Sequence, residues 1–169
     1  LGNPFGPDLK VSQTRVGMLV KKGNPQELDS GNLATLAQAG LRVGITDRRA
    51  STLGNLTEQL FDESGHRPAI MKNVIYTPVT AHLLIQNMEG GGQLDVILVY
   101  EANIQHLKDK FTFIPLKSPR AIAIQNVAAK KTTPYPLLAH RLMEKLASET
   151  SRRRFKQLGF KPWEEAKTQ

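Results

Sequence analysis

The feature that most constrains the fold is a nearly continuous apolar run from Leu94 to Tyr100, interrupted by one charged residue, Asp95. A strand with one solvated face alternates apolar and polar residues, whereas a parallel strand covered on both faces reads as a continuous apolar run. The run is far shorter than the roughly 20 residues of a membrane helix. It therefore predicts a central strand that is buried on both faces of a mostly parallel sheet.

Strand-like and helix-like segments alternate on both sides of this run. The patterns predict further strands over residues 16–20, 41–46, 69–76, 111–115 and 121–128, and helices over 30–39, 52–63 and 77–88, with two more after Pro136. Such alternation implies right-handed crossovers around one sheet. The sequence therefore predicts an α/β fold, a mostly parallel sheet with flanking helices, after an opening loop over residues 1–13.

The net charge of +8 is concentrated near the C-terminus, where residues 141–161 hold seven basic and two acidic residues. A cluster of this kind either binds nucleic acid or forms a solvated helix face. No aromatic residue is interleaved with the run Ser151-Arg152-Arg153-Arg154, as stacking on bases requires. We therefore expect a solvated face and no nucleic-acid partner.

The sequence carries no pattern typical of catalysis. Because there is no cysteine, disulfides, thiolate metal sites and a cysteine nucleophile are excluded. The four histidines fall in different predicted elements without metal-ligand spacing, and no nucleophile elbow or cofactor motif is present. Asp47 follows a predicted strand, a position at which an aspartate more often orders its loop than acts as an acid or base. The sequence thus favours binding over catalysis, with no cofactor and no bound metal.

Three loops leave the carboxyl ends of predicted strands, where ligands bind in open α/β sheets. The loop over 47–54 enters a helix through Ser51 and Thr52, and the loop over 77–81 is another helix start. Amide N–H groups in a first helical turn lack intrahelical acceptors and bind anions. The third loop begins at Tyr100, which ends the apolar run and would add a hydroxyl donor.

Each of these features also has a purely structural interpretation. Ser51 or Thr52 would simply cap a helix, Pro78 would be an ordinary proline of a first turn, and Tyr100 would pack against the core. The residues alone leave these alternatives open.

Five segments in a fixed order carry a resemblance to a known family. They are VKKGNP at 20–25, LRVGITD at 41–47, STLG at 51–54, DVILVY at 95–100 and LGF at 158–160. Over residues 14–162 the chain resembles the C-terminal two-thirds of a type II solute-binding protein of ABC transporters. It is most similar to the branch that binds molybdate and tungstate.

The resemblance implies a fold of two α/β lobes joined by two crossover strands. Residues 1–13 would be a connection, 14–25 a crossover strand and 26–118 the complete anion-binding second lobe. Residues 119–169 would hold the return crossover strand and helices that belong to the other, largely missing lobe. Because the apolar face of these helices lacks a partner in its own chain, we expect a domain-swapped or face-paired homodimer.

The resemblance also implies the ligand and the residues that bind it. The ligand would be a tetrahedral oxyanion, held by the backbone N–H groups of Leu53 and of Ala81 or Thr80, and by the Tyr100 hydroxyl. Ser51 and Thr52 lie in the same first loop. The family often has proline at the positions of Arg48 and Thr52, so the preferred anion, for which sulfate is a further candidate, stays open.

The function implied is that of the extracytoplasmic solute-binding component of an ABC transporter. It would deliver its ligand to a permease without inserting into the membrane and without catalysis. A ligand-sensing or regulatory domain of a larger protein, built on the same lobe, is the alternative.

Overall fold

The computed structural model describes residues 2–29 and 32–163. They form two compact units, a larger one of Arg15–Ile122 and a smaller one of residues 2–14 with 123–163. The strands are β1 (Phe5–Lys21), β2 (Val43–Gly44), β3 (Val74–Tyr76), β4 (Val96–Tyr100), β5 (Phe111–Pro115), β6 (Ile122–Lys130) and β7 (Lys161–Pro162). The α-helices are α1 (Thr52–Ser64), α2 (Arg67–Met71), α3 (Ala81–Glu89), α4 (Pro136–Ala147) and α5 (Glu149–Gln157). Short 3₁₀ turns cover Leu33–Ala37, Glu101–Ile104 and Pro119–Ala121.

The larger unit is built on a sheet with the strand order β3-β2-β4-β1-β5. Strand β2 runs parallel to both β3 and β4, whereas β1 runs antiparallel to β4 and β5. All the strands of this path except β1 therefore point in one direction. The predicted α/β fold with a mostly parallel sheet is confirmed.

Strand β4 is buried on both faces, as its apolar run predicts. Val96 and Leu98 join the apolar cluster that includes Phe61 of α1, while Ile97 and Val99 join the cluster that includes the helix α3. Successive residues of a strand point to opposite faces of the sheet. Helices α1 and α3 therefore cover different faces of β4.

Asp95, the one charge in the apolar run, is paired with Arg42. The carboxylate accepts hydrogen bonds from the Arg42 guanidinium at 2.7 and 2.9 Å and from the Arg42 backbone N–H at 3.0 Å. The guanidinium hydrogen bond lowers the pKa of Asp95. This pair joins the segments that enter the parallel strands β2 and β4, and it compensates a carboxylate that would otherwise be costly to bury.

Two segments that precede β4 in the sequence differ from their predictions. The strand predicted over 69–76 is wrong in its first half, because α2 occupies this stretch and pairing begins only at Val74. Pro68 lies in the first turn of α2, and an apolar run this short does not separate strand from helix by its period. The helix predicted over 30–39 is a 3₁₀ turn from Leu33, and Ser30 lies outside the described residues.

The loop predicted over 1–13 is also wrong, because β1 begins at Phe5. The first half of β1 pairs with β6 and, at Ser12 and Gln13, with β7. The Ser12 hydroxyl donates to the Gln125 side chain at 2.8 Å, although the two residues are 113 positions apart. A local sequence pattern carries no information on partners so distant in the chain.

Helices α4 and α5 of the smaller unit follow the prediction for residues after Pro136. Neither helix contains a buried residue, and Leu137, Leu138 and Leu142 of α4 are between 54% and 75% exposed. The predicted homodimer remains a prediction. Among residues 2–29 and 32–163, no helix combines the length and the apolar content needed to cross a membrane.

Truncation of Leu98 tests the two-sided burial of β4. We expect Leu98→Ala to lower the free energy of unfolding by about 2–5 kcal/mol, since lost burial and a cavity both contribute. Leu137→Ala, at a side chain that is 75% exposed, is the matched control and should change it by less than about 0.5 kcal/mol. Urea denaturation followed by circular dichroism measures both variants. Equal effects would contradict the burial of β4.

The Asp95–Arg42 pair predicts a specific loss of stability in acid. Because the folded pKa of Asp95 is lowered, the pair stabilises the fold above the unfolded pKa of about 3.9. This contribution is lost as the pH falls through the lower folded value. We expect Asp95→Asn to be less stable near neutral pH and to lose less further stability on acidification, measured as urea midpoints. Parallel pH curves for the two proteins would rule out this role of the pair.

Candidate functional site

The three loops that follow β2, β3 and β4 lie at one edge of the sheet. These strands run parallel, and Gly44 of β2 is level with Ile97 of β4. Asp47 and Tyr100 each follow three residues later, so both loops begin at the same level. The Asp47 N–H donates to the Pro78 carbonyl at 2.9 Å. The loops after β2 and β3 are therefore joined directly, with Tyr100 at the end of the adjacent strand.

Asp47 holds the loop before α1 in a turn. Its Oδ1 accepts the N–H of Arg49 at 2.6 Å and that of Ala50 at 3.1 Å. Its carbonyl accepts the N–H of Ser51 at 2.9 Å. The prediction that Asp47 orders its loop is confirmed. The turn fixes the position from which α1 starts.

Ser51 is the N-cap residue of α1, but its hydroxyl makes no hydrogen bond to the first turn. An N-cap serine ordinarily accepts the N–H of the second or third helical residue. The side-chain cap that the structural interpretation assigns to Ser51 is therefore not formed, although Ser51 occupies the N-cap position. Thr52 is exposed, whereas the side chain of Leu53 is buried in the core. By their place in the first turn, the backbone N–H groups of Thr52, Leu53 and Gly54 have no acceptor within the helix.

The start of α3 repeats this arrangement. Thr80 is the N-cap residue, and its hydroxyl also makes no cap hydrogen bond. Ala81 is half-buried and packs against both apolar clusters. The helix begins later than predicted, so the interpretation that places Pro78 in its first turn is wrong. Two helices at neighbouring strand ends thus present uncapped amides beside a hydroxyl.

Gly54 brings the start of α1 against the end of β2. A Cβ at this position would lie 2.6 Å from the Asp47 carbonyl carbon, well inside any tolerated distance to backbone. The absence of a side chain permits this close approach. It fixes the first-turn amides of α1 relative to the strand.

Tyr100 lies at the carboxyl end of β4 and is half-buried against the same cluster as Leu53. Burial raises the pKa of its phenol. The hydroxyl therefore stays protonated, and so remains a hydrogen-bond donor, throughout the physiological range. The Tyr100 backbone N–H donates to Asn103 Oδ1 at 3.3 Å. Packing and donation, which the sequence left as alternatives for this residue, are compatible.

The charged side chains beside the first loop divide into paired and unpaired groups. Arg48 contacts Glu58 at 3.2 Å, and Glu58, which is buried in α1, also binds Arg67. Arg49 is exposed, and within the described part of the chain it makes no ion pair. The loop that leads into α1 therefore carries one cation that is not committed to an ion pair.

Sequence reasoning missed one juxtaposition outside these loops. His82 of α3 and His106 line one cavity of about 310 Å³ together with Glu89. The two histidines are 24 positions apart in different elements, so spacing does not reveal their proximity. No group of three or more His, Cys, Asp or Glu among residues 2–29 and 32–163 is arranged to hold a metal ion.

A family model for bacterial extracellular solute-binding proteins matches residues 8–161, a span that includes all three loops. The chain belongs to this family.

Within the solute-binding family, one relative is a Haemophilus influenzae protein named as a binding protein. It is 26% identical to this chain over 147 residues, which are 86% of this chain and 58% of that protein. The chain therefore spans less than two thirds of the length of this curated relative.

Two solved structures share the fold of this solute-binding chain. A Clostridium difficile substrate-binding domain named for a molybdenum ABC transporter matches with a TM-score of 0.69 and 13% identity, over 93% of this chain and 67% of that one. A periplasmic thiamin binding protein matches with a TM-score of 0.70 and 16% identity, over 96% and 54% respectively. At these identities the similarity establishes the fold alone.

Substitution of Gly54 tests the close contact between α1 and β2 in this solute-binding chain. In an ordinary helix, replacing glycine with alanine raises stability by about 1 kcal/mol. Here we expect Gly54→Ala to lower it by about 1–3 kcal/mol, because the new Cβ meets backbone. Asn55→Ala, at the exposed next position, is the control and should not destabilise. Urea denaturation measures the sign, and a stabilised Gly54→Ala variant would disprove the contact.

Proposed function

We propose that this solute-binding chain contributes one lobe of a site for a tetrahedral oxyanion of the molybdate or tungstate type. The observation that carries the proposal is the pair Ser51 and Thr80. Each occupies a helix N-cap at the same sheet edge, and neither hydroxyl caps its helix. Uncapped amides next to hydroxyl donors suit a small dianion, which accepts hydrogen bonds on every oxygen.

Each ligand contact would come from a group that is already in position. The backbone N–H groups of Leu53 and Ala81 would bind the anion, with the N–H of Thr52 beside them. The hydroxyls of Ser51, Thr80 and Tyr100 would complete this side of the ligand. Hydrogen bonds to an ionised acceptor are about twice as strong as neutral ones, so no cationic side chain needs to touch it. The free charge of Arg49 would raise the rate at which anions arrive.

The expected affinity of the chain alone is low. The chain spans 58% of its Haemophilus relative, and in the two-lobe clamp that the resemblance implies, donors from both lobes enclose the ligand. One lobe provides donors on one side and leaves the other side to water. We therefore expect a molybdate Kd weaker than about 1 µM, the value that corresponds to roughly 8 kcal/mol of binding free energy.

A role in transport follows from the same evidence. Membership of the extracellular family supports a place outside the cytoplasm, and similarity to a domain named for an ABC transporter supports a permease as partner. The uncapped helix starts would hold an anion through hydrogen bonds alone. Binding and delivery, rather than catalysis, are therefore the proposed activity.

A thermal-shift panel tests the ligand class. For a Kd of about 100 µM, molybdate or tungstate at about 10 mM should raise the melting temperature by several degrees, because a ligand at about 100 times its Kd stabilises by about 2.7 kcal/mol. Sulfate and phosphate rank the anions, and thiamin serves as a cationic comparison. A shift with thiamin but with no oxyanion would refute the anion assignment.

Paired substitutions test the residues. Ser51→Ala with Thr80→Ala should at least halve the molybdate shift, whereas Thr132→Ala, at an exposed threonine of the smaller unit, should leave it unchanged. Calorimetry provides the affinity. A sub-micromolar Kd for this chain would overturn the one-lobe argument, and an unchanged shift in the double variant would remove Ser51 and Thr80 from the site.

A further inference from the structure

The positive charge of the protein is divided unequally between the two units. Residues 2–14 and 123–163 hold ten basic and three acidic residues, a net charge of +7. Residues 15–122 hold twelve basic and ten acidic residues, a net charge of +2, and residues 164–169 contribute −1. The oxyanion site proposed above lies in the larger unit, so it does not account for this excess.

Within the smaller unit, part of the excess surrounds a pocket on α5. Arg152, Arg153 and Lys156 line a pocket of about 270 Å³ together with Trp163. Lys10 places its ammonium 4.7 Å from the centre of the Trp163 ring, the distance of a cation–π contact. We call the four cations Lys10, Arg152, Arg153 and Lys156 the α5 basic patch.

The cations that line the pocket are available to a ligand. Arg152, Arg153 and Lys156 are exposed, and in the described ranges none of them makes an ion pair. Glu149 is the one acidic residue among those lining the pocket. Guanidinium groups bind phosphate oxygens in a bidentate manner. Trp163 lines the same pocket, and tryptophan is enriched where an apolar layer meets water.

We propose that the α5 basic patch binds the surface of an anionic lipid bilayer, with phospholipid headgroups at the pocket and Trp163 at the headgroup level. Charge complementarity carries the proposal, since each Lys or Arg near an anionic bilayer adds favourable free energy. The association is peripheral and requires no membrane-spanning segment.

The observations favour a bilayer over nucleic acid or a free phosphate ion. A single aromatic ring at the pocket provides no series of stacking platforms for successive bases. The patch also extends over four cations on two segments of the chain, which is more than one small phosphate can contact. A bilayer surface presents many phosphates, so it can engage several of these cations together.

Intrinsic fluorescence tests the proposal directly, because Trp163 is the only tryptophan in the chain. We expect its emission to shift to the blue with vesicles that contain about one third phosphatidylglycerol, and not with pure phosphatidylcholine. The shift should weaken as salt is raised, since the Debye length falls from about 30 Å at 0.01 M to about 8 Å at 0.15 M. Co-sedimentation with the same vesicles measures the partition coefficient.

A charge-matched pair of variants assigns the effect to the patch. The variant R152Q/R153Q/K156Q should bind the anionic vesicles about a hundredfold more weakly, at roughly a fivefold loss for each charge. The control K72Q/K108Q/K117Q removes three exposed lysines of the larger unit and should retain most of the binding. If the triple variant does not fold, as judged by circular dichroism, the single variant R153Q and the salt series on the unchanged protein provide the test.

Several results would overturn the proposal. No blue shift and no co-sedimentation with anionic vesicles at low salt would exclude it, as would equal losses in the two triple variants. Complete competition by millimolar inorganic phosphate would show a free-phosphate site instead. Tighter binding of duplex DNA than of vesicles at matched charge would show a nucleic-acid surface. These measurements depend on residues remote in sequence from Ser51 and Thr80. Failure of the membrane proposal would therefore leave the oxyanion assignment unaffected, and the reverse also holds.

Discussion

The burial of β4 on both faces is the constraint on which the larger unit depends. Alternate residues of this strand enter two different apolar clusters, one with α1 and one with α3. A strand covered in this way needs helices on both sides of the sheet. The short loops that lead from parallel strands into these helices place the helix starts at the carboxyl edge of the sheet. The position of the α1 and α3 starts at one edge of the sheet is therefore a consequence of how the core is covered. Asp95 is tolerated in this strand because Arg42 satisfies its carboxylate.

The parts of the fold that could be predicted from the sequence are those with a strong local pattern. The run ending at Tyr100 has the length and the β-branched residues of a strand, and the helix starting at Thr52 shows a helical period over its full length. The stretch 69–71 is too short for its period to decide, and the strand at Phe5 depends on pairing with β6 and β7 far along the chain. The cavity shared by His82 and His106 also depends on tertiary packing. Loop positions could be predicted, whereas cap hydrogen bonds depend on backbone angles that residue types do not determine.

If the proposed anion is bound through backbone N–H groups, the side chains of the first loop can vary without loss of the donors. Arg48 turns to Glu58 and Thr52 is exposed, so neither side chain determines where the Leu53 N–H points. That direction is determined by the turn at Asp47 and by the contact at Gly54. The residues that position the proposed ligand donors are thus an aspartate and a glycine that would not themselves touch the ligand. A comparison restricted to contacting side chains would overlook both.

The hydrogen bond between Asp47 and Pro78 has a consequence for the dynamics of the two loops that precede α1 and α3. It joins the loops that precede α1 and α3, so neither helix start can move far without disturbing the other. Two separately mobile loops would lose conformational entropy when a ligand binds, and this loss would weaken the affinity. Here the ordering occurs once, during folding. A binding surface held in this way would discriminate among anions by size, because it would not relax around one whose oxygens are too closely or too widely spaced.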